Sequence, residues 1–253
     1  MDIVFLGTGA ADFLPSLADS DRFTVDKNIR RSTVTLLNGT TLIDCGPHLL
    51  DELKIHHIDE KKIRNVLITH KHSDHFNPAN LNQLATFTDS ALHVWYPKEI
   101  DMPALNNVVL HPMTRHETYQ VDTLSVTPLK ANHTADAVHY SIEENDKKFF
   151  YGCDGAWLMM DTYNYMIGKR YSMMVLDATV GDYEGDYRMA EHNSIPMIRM
   201  MLSSFKTVEI ATDETVIVLD HLARTLHKSY EETCRLVEKD GFVVAYDGLS
   251  MEV

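Results

Sequence analysis

The segment His70-Lys71-His72-Ser73-Asp74-His75 places three imidazoles and one carboxylate within six positions, directly after the apolar run 66–68. Neutral imidazole and carboxylate are donors for Zn, Mn and Fe ions. Residues two apart just beyond a strand can converge on one ion, as His70 and His72 would. Asp74 and His75 point elsewhere and can serve a second ion. Four donors in one loop rarely close two sites, so further ligands must come from downstream. The candidates are His133 in Lys130-Ala131-Asn132-His133, Asp154 in Tyr151-Gly152-Cys153-Asp154, and His221 in Leu219-Asp220-His221.

Donors this far apart in sequence meet only if a scaffold carries them together. Short β-rich runs at 3–6, 33–37, 41–43, 66–69, 92–96, 124–128, 149–151, 173–176, 215–219 and 242–246 read as strands. Several end where chemistry begins: before Gly7-Thr8-Gly9, Asp44-Cys45-Gly46, Thr69-His70 and Asp220-His221. Helical signals lie at 78–88, 157–167, 195–202 and 230–239. Ser229 and Glu232 predict a capping box for the last of these, and Gly241 predicts its stop. Glu144-Asn145-Asp146 predicts a hairpin turn. Strands outnumber helices, which predicts a layered α/β sandwich and not a strictly alternating Rossmann sheet.

The 253 residues are 44% hydrophobic and 24% charged, enough to bury a sizeable core and outside the disordered and collagen-like classes. No repeat or Pro/Gly/Ser-rich linker divides them, so one domain over 1–253 is expected. With 23 Lys and Arg against 37 Asp and Glu, the net charge of −14 repels polyphosphate backbones, and nucleic acid is disfavoured as a general partner. Cys45, Cys153 and Cys234 are odd in number and widely spaced, which predicts a reducing, cytoplasmic setting. The first residues carry no basic signal-peptide region, and no apolar run nears the roughly 18 residues that span a membrane.

His70-x-His72-x-Asp74-His75, followed in order by His133, Asp154 and His221, resembles the metallo-β-lactamase fold superfamily across essentially the whole chain. The resemblance implies an αββα four-layer sandwich with a dinuclear site at the edge where its two sheets meet. It implies one divalent ion on His70, His72 and His133, a second on Asp74, His75 and His221, and Asp154 bridging both. Asp44-Cys45-Gly46 matches the D-x-G turn that supports such a site. Zn and Mn suit this donor set, and so does Fe. Lactamases that hydrolyse antibiotics place a cysteine near the bridging position, whereas the phosphodiester and thioester branches use an aspartate, as Asp154 would be.

Leu176-Asp177-Ala178-Thr179 followed by Glu191-His192-Asn193-Ser194 is similar to the region that supplies an extra histidine in the phosphodiesterase branch, which includes ribonuclease Z and the cyclic-phosphate phosphodiesterase of phosphonate breakdown. The resemblance implies hydrolysis of small, including cyclic, phosphodiesters by a metal-bridging hydroxide. His192 would act as general acid or hold a phosphoryl oxygen, and Asp74 would help to orient the nucleophile. It also implies a homodimer. Alternatives on the same scaffold are a thioester, lactone or β-lactam hydrolase, a tRNA 3′-processing nuclease and a non-catalytic metal-binding protein. No cysteine lies between Asp12 and Arg31, so the branch's additional structural zinc is not expected, and no basic exosite arm for tRNA is visible.

Weaker signals have plainer readings. Gly7-Thr8-Gly9 lacks the third glycine of a dinucleotide loop and reads as a tight turn near the site. Met197, Met200 and Met201 read as one core-facing helix stripe. The acidic-aromatic stretch 182–187 reads as a solvated loop or pocket wall. Arg30 and Arg31 either contact an anionic substrate or pair with acidic neighbours.

Overall fold

The computed structural model describes residues 1–12 and 22–253. The first half of the chain supplies β1 (Asp2–Gly7), β2 (Val34–Leu37), β3 (Thr41–Ile43), α1 (Leu49–Ile55), β4 (Asn65–Leu67), α2 (Pro78–Phe87), β5 (Leu92–Pro97) and β6 (Val108–Met113). The second half supplies β7 (Tyr119–Val121), β8 (Leu124–Lys130), β9 (Val138–Glu144), β10 (Lys147–Gly152), α3 (Met160–Met166), β11 (Met173–Asp177), α4 (Ile195–Thr207), β12 (Val216–Asp220), α5 (Tyr230–Val237), β13 (Val243–Val244) and β14 (Leu249–Glu252). One sheet runs β14-β1-β2-β3-β4-β5-β6 and the other β13-β12-β11-β10-β9-β8-β7. The last strand returns to the first sheet, pairing antiparallel with β1.

Alternation along each strand divides its side chains between two apolar layers, because successive Cβ atoms point to opposite faces. Ile3, Phe5, Leu37 and Ile43 enter the core between the sheets, where they meet Val126, Tyr140, Ile142, Phe149, Tyr151 and Val175 of the other sheet. The intervening Leu6, Leu36 and Leu42 face outward against Leu49 and Leu53 of α1 and Leu81 and Leu84 of α2. On the far side, Phe150, Met174 and Leu219 lie under Ile195, Ile198 and Phe205 of α4. The layers are therefore helix, sheet, sheet, helix, the αββα sandwich that was expected.

Parallel pairing decides where the functional residues emerge. β3, β4, β5 and β6 are mutually parallel, as are β10, β11, β12 and β13. Their C-terminal ends share one edge of the sandwich, where open α/β sheets place their sites. Hydrogen bonds join the sheets at this edge: Tyr140 Oη donates to the Ile68 carbonyl, Val138 N to the Thr69 carbonyl at 3.1 Å, and Leu222 N to the Thr8 carbonyl at 2.8 Å.

Local chemistry sets the helix starts. Asn77 accepts from Ala79 N and Asn80 N ahead of Pro78, Ser194 accepts from Met197 N, and the Ser229/Glu232 capping box forms as expected. Helix α5 ends at Val237, however, and a 3₁₀ turn, Glu238–Asp240, carries the chain to Gly241 at φ 71°. The run at 242–246 pairs only over Val243–Val244, and that at 157–167 is helical only over Met160–Met166. Four strands, β6, β7, β9 and β14, and helix α1 were not anticipated. His139 and Ser141 interrupt the apolar pattern of β9, and α1 is seven residues long with no side-chain cap at His48. Met197 and Met201 are buried as expected, but Met200 is 59% exposed and does not belong to that stripe. The stretch between Asp12 and Arg31 includes residues 13–21, which lie outside the described residues. Among the described residues, no helix is long and apolar enough to cross a membrane.

Candidate metal centre and active site

The loop after β4 carries His70, His72, Asp74 and His75; the loop after β8 carries His133; β10 leads into Asp154, β11 ends at Asp177, and β12 leads into His221. All seven sequence-predicted donors meet at the shared edge. Donor atoms of His70, His72, His133 and Asp154 lie within 4.8 Å of one another, and so do those of Asp74, His75, Asp154 and His221. Asp154 belongs to both groups. Its Oδ2 is 3.1 Å from His70 Nε2, 3.0 Å from His75 Nε2 and 3.7 Å from His133 Nε2, while its Oδ1 is 2.9 Å from His221 Nδ1.

These residues fit a pair of cations better than they fit one another. His70 Nε2 and Asp154 Oδ1 are buried and make no hydrogen bond, because their close approaches lack the alignment one requires. Imidazole nitrogens face each other at 3.0 Å between His72 Nδ1 and His133 Nε2, and at 3.1 Å between His75 Nε2 and His221 Nε2. Each pair needs a proton or a cation between its two nitrogens. The carboxylates act in the same sense. Burial alone would lower His221, but Asp154 and then Asp74 outweigh it and push the imidazole up to about 10. Burial opposes ionisation of Asp74, yet His75 and His221 hold its carboxyl well below the usual carboxylate range. Burial leads the opposite outcome at His133, which falls to about 4 and so presents a neutral ring, the form that binds a metal.

An outer layer of hydrogen bonds orients the donors. Asp44 Oδ2 accepts from His75 Nδ1 at 2.7 Å, which leaves Nε2 of that ring for the cluster, and Asp44 Oδ1 accepts from Thr69 N at 2.8 Å. Asp44, Asp154 and His221 all adopt left-handed backbone, at φ 69°, 54° and 57°, a conformation that costs energy in these residue types and aims their side chains at the cluster. Cys153, beside Asp154, is turned into the core between the sheets and donates to Asp220 Oδ2 at 3.4 Å.

His192 reaches the same centre from the segment before α4. Its Nδ1 is 3.4 Å from Asp154 Oδ1 and donates to Asp177 Oδ2 at 2.8 Å. Burial works against protonation of His192, but Asp177 more than reverses this and raises the ring above the ordinary histidine value. Thr179 Oγ1 lies 3.3 Å from His192 Nδ1 and 2.8 Å from His221 Nδ1. Asp177 and Thr179 were not singled out as functional. Both stand in the Leu176-Asp177-Ala178-Thr179 segment whose resemblance pointed to His192, but neither was given a role of its own; Asp177 also closes an apolar strand as Asp220 does.

A cavity of about 220 Å³ opens over the cluster, lined in part by Ala10, Asp12, Arg188, Glu191 and His192. The turn after β1 reaches this wall, as its sequence suggested. None of residues 182–187 lines it, so that stretch is not the wall; Arg188, just beyond, is. Neither Arg30 nor Arg31 lines it either. Arg31 is buried and donates through Nη1 to Asp247 Oδ2 at 3.2 Å, and Arg30 is buried as well.

The family model for the beta-lactamase superfamily domain matches residues 40–211. Ribonuclease Z from Pyrococcus furiosus is 22% identical over 162 residues, covering 58% of this chain and 50% of that protein. The chain thus spans about half the length of the curated relatives it matches. Among solved structures, the metallo-beta-lactamase fold protein YhfI from Bacillus subtilis superposes with a TM-score of 0.73 at 14% identity, over 100% of this chain and 99% of that one. A diphosphatase from the PhnP family gives 0.72 at 18% identity, over 100% and 97%. Zn(2+)-bound PqqB from Methylobacterium extorquens gives 0.72 at 21% identity, over 100% of both chains.

Proposed function

The chain belongs to the beta-lactamase superfamily, and on that premise we propose that it is a hydrolase of small phosphodiesters working with two divalent ions, Zn or Mn by the donor chemistry, with Fe also suited to it. The observation that carries this reading is the position of Asp154, shared between two groups of donors and flanked by His192. His70, His72 and His133 would hold one ion, Asp74, His75 and His221 the other, and Asp154 both. When bound, two cations would neutralise the anionic diester and supply water acidic enough to be deprotonated near pH 7.

The chain's own residues do the rest. Asp177 accepts a hydrogen bond from Nδ1–H of His192, fixing the ring and leaving Nε2 as its other exchangeable position. The raised affinity of His192 for a proton suits it to donate from Nε2 to a departing alkoxide. A carbonyl substrate that expels a thiolate has less need of such an acid. The small cavity and the net charge of −14 favour a compact substrate over a long polyanion, although the curated relatives include ribonuclease Z.

The test combines metal analysis of protein purified without added ions with turnover of bis(p-nitrophenyl) phosphate, a thioester and a lactone. About two ions per chain and selective cleavage of the phosphodiester are expected. Preference for the thioester or lactone would move the assignment to carbonyl hydrolysis, and fewer than two ions would remove the dinuclear scheme.

A further inference from the structure

Arg188 stands at the cavity wall one turn before His192, whose backbone N–H donates to the Arg188 carbonyl at 2.8 Å. It is the one Lys or Arg among the described residues lining the cavity, in a chain with far more acidic than basic groups. Its neighbour Asp186 holds it in a fork, accepting from Nε at 2.9 Å and Nη2 at 2.8 Å, and also caps the short 3₁₀ turn by accepting from Arg188 N at 2.9 Å. The fork fixes the plane of the guanidinium and leaves three N–H groups, both on Nη1 and the second on Nη2, as donors available to a ligand. Asp12, on the same wall, acts on Arg188 through its charge, but its hydrogen bonds go elsewhere. The Asp12 carboxylate accepts from Arg224 N and Thr225 N, both at 2.8 Å, and from Thr225 Oγ1.

We propose that Arg188 is a specificity-determining residue that binds a second anionic group on the substrate, a phosphate or carboxylate lying outside the scissile diester. The charge of the scissile group is met by the cations that the cluster would hold. A pre-oriented guanidinium set apart at the wall is suited to charge those cations do not reach. The substrate class is then a phosphodiester bearing a distal anion, not a simple monoanionic diester. This rests on the phosphodiester reading of the cavity, which the experiment separates from the role of Arg188.

The test uses Zn-loaded protein and two ligands that differ by one distal phosphate, thymidine 5′-phosphate and thymidine 3′,5′-bisphosphate, titrated by calorimetry. The native chain is expected to bind the bisphosphate about tenfold more tightly or better, the scale of a charge-assisted hydrogen-bonded pair. R188A is expected to bring that ratio close to one with little change for the monophosphate, and R188K to restore part of it. With the matching p-nitrophenyl esters, R188A raises KM only for the ester carrying the 3′-phosphate and leaves kcat unchanged. A native ratio near one, or a ratio that survives in R188A, overturns the proposal. Absence of turnover with both esters overturns the phosphodiester reading while the binding ratio still decides the role of Arg188.

Discussion

Asp177 Oδ2 and His192 Nδ1 lie 2.8 Å apart, a carboxylate buried at the end of β11 bracing an imidazole from the segment before α4. Asp177 also accepts from Gly155 N at 3.1 Å and Thr179 N at 2.8 Å, so its orientation is set from three sides. The pair couples a proton-holding ring to the loop that carries Asp154.

Replacing His192 with Ala is expected to leave both ions in place and lower kcat on a phosphodiester by about 10²- to 10⁴-fold, the range for loss of a general acid. D177N should act in the same direction but less strongly, because the ring remains while its brace and its raised proton affinity weaken. Metal content and kcat, measured together, check this. Unchanged kcat in H192A would take His192 out of the reaction.

Asp154 sits in both donor groups, so D154N should reduce occupancy of both positions and not of one. Metal analysis after dialysis is expected to fall from about two ions per chain to fewer than one, whereas H133A should lose one ion preferentially. Equal retention in D154N and the native chain would contradict a shared ligand.

Gly46 follows the Asp44-Cys45 pair at a close crossing of two loops. A Cβ built there would lie 2.1 Å from the Asp74 carbonyl oxygen and 2.5 Å from Ser32 Oγ. G46A must therefore displace the Asp74 backbone. Destabilisation of about 1–3 kcal/mol is expected, together with weaker metal retention. Denaturant melts and metal analysis provide the readouts, and a variant as stable and as metal-rich as the native chain would show that the crossing relaxes at no cost.

The buried pair Arg31 and Asp247 gives stability a pH dependence away from the metal ligands. Burial pushes the Asp247 carboxyl up to about 6, against the opposing bonds from Arg31 and Thr8. The unfolded chain releases this proton near the ordinary value of about 3.9. The folded state therefore binds the proton more tightly. The associated stability is fully present below about pH 4 and is lost as pH rises through about 6. Relative to D247N, which does not titrate, the native chain is expected to lose about 2 kcal/mol between pH 4 and pH 7 in urea unfolding. Parallel pH curves for the two proteins would refute the linkage.

Much of the fold could be read along the chain because the strand runs that were found are buried on both faces. Val66, Leu67 and Ile68 are continuously apolar for this reason, and so are Met173, Met174, Val175 and Leu176. The strands that escaped notice depart from a continuous buried apolar run in different ways, by exposure or by polar residues within the buried stretch. β6 is a sheet edge with exposed Val109 and Leu110, and β9 buries His139 and Ser141 among its apolar residues. Arg30 and Arg31 illustrate another limit. A basic pair just before a predicted strand has no direction in sequence, and only packing placed Arg31 beside Asp247, 216 positions away.

The order and types of the residues marked the candidate donors, most of the strands that lead to them and the Ser229 cap, because these signals depend on neighbours a few positions apart. The tertiary structure alone decided which nitrogens face which oxygens, that Asp177 braces His192, and that Arg188 instead of Arg30 or Arg31 reaches the cavity. Those relations depend on parallel strand register and on two sheets joined at one edge, and contacts between segments dozens to hundreds of positions apart leave no local pattern in the chain.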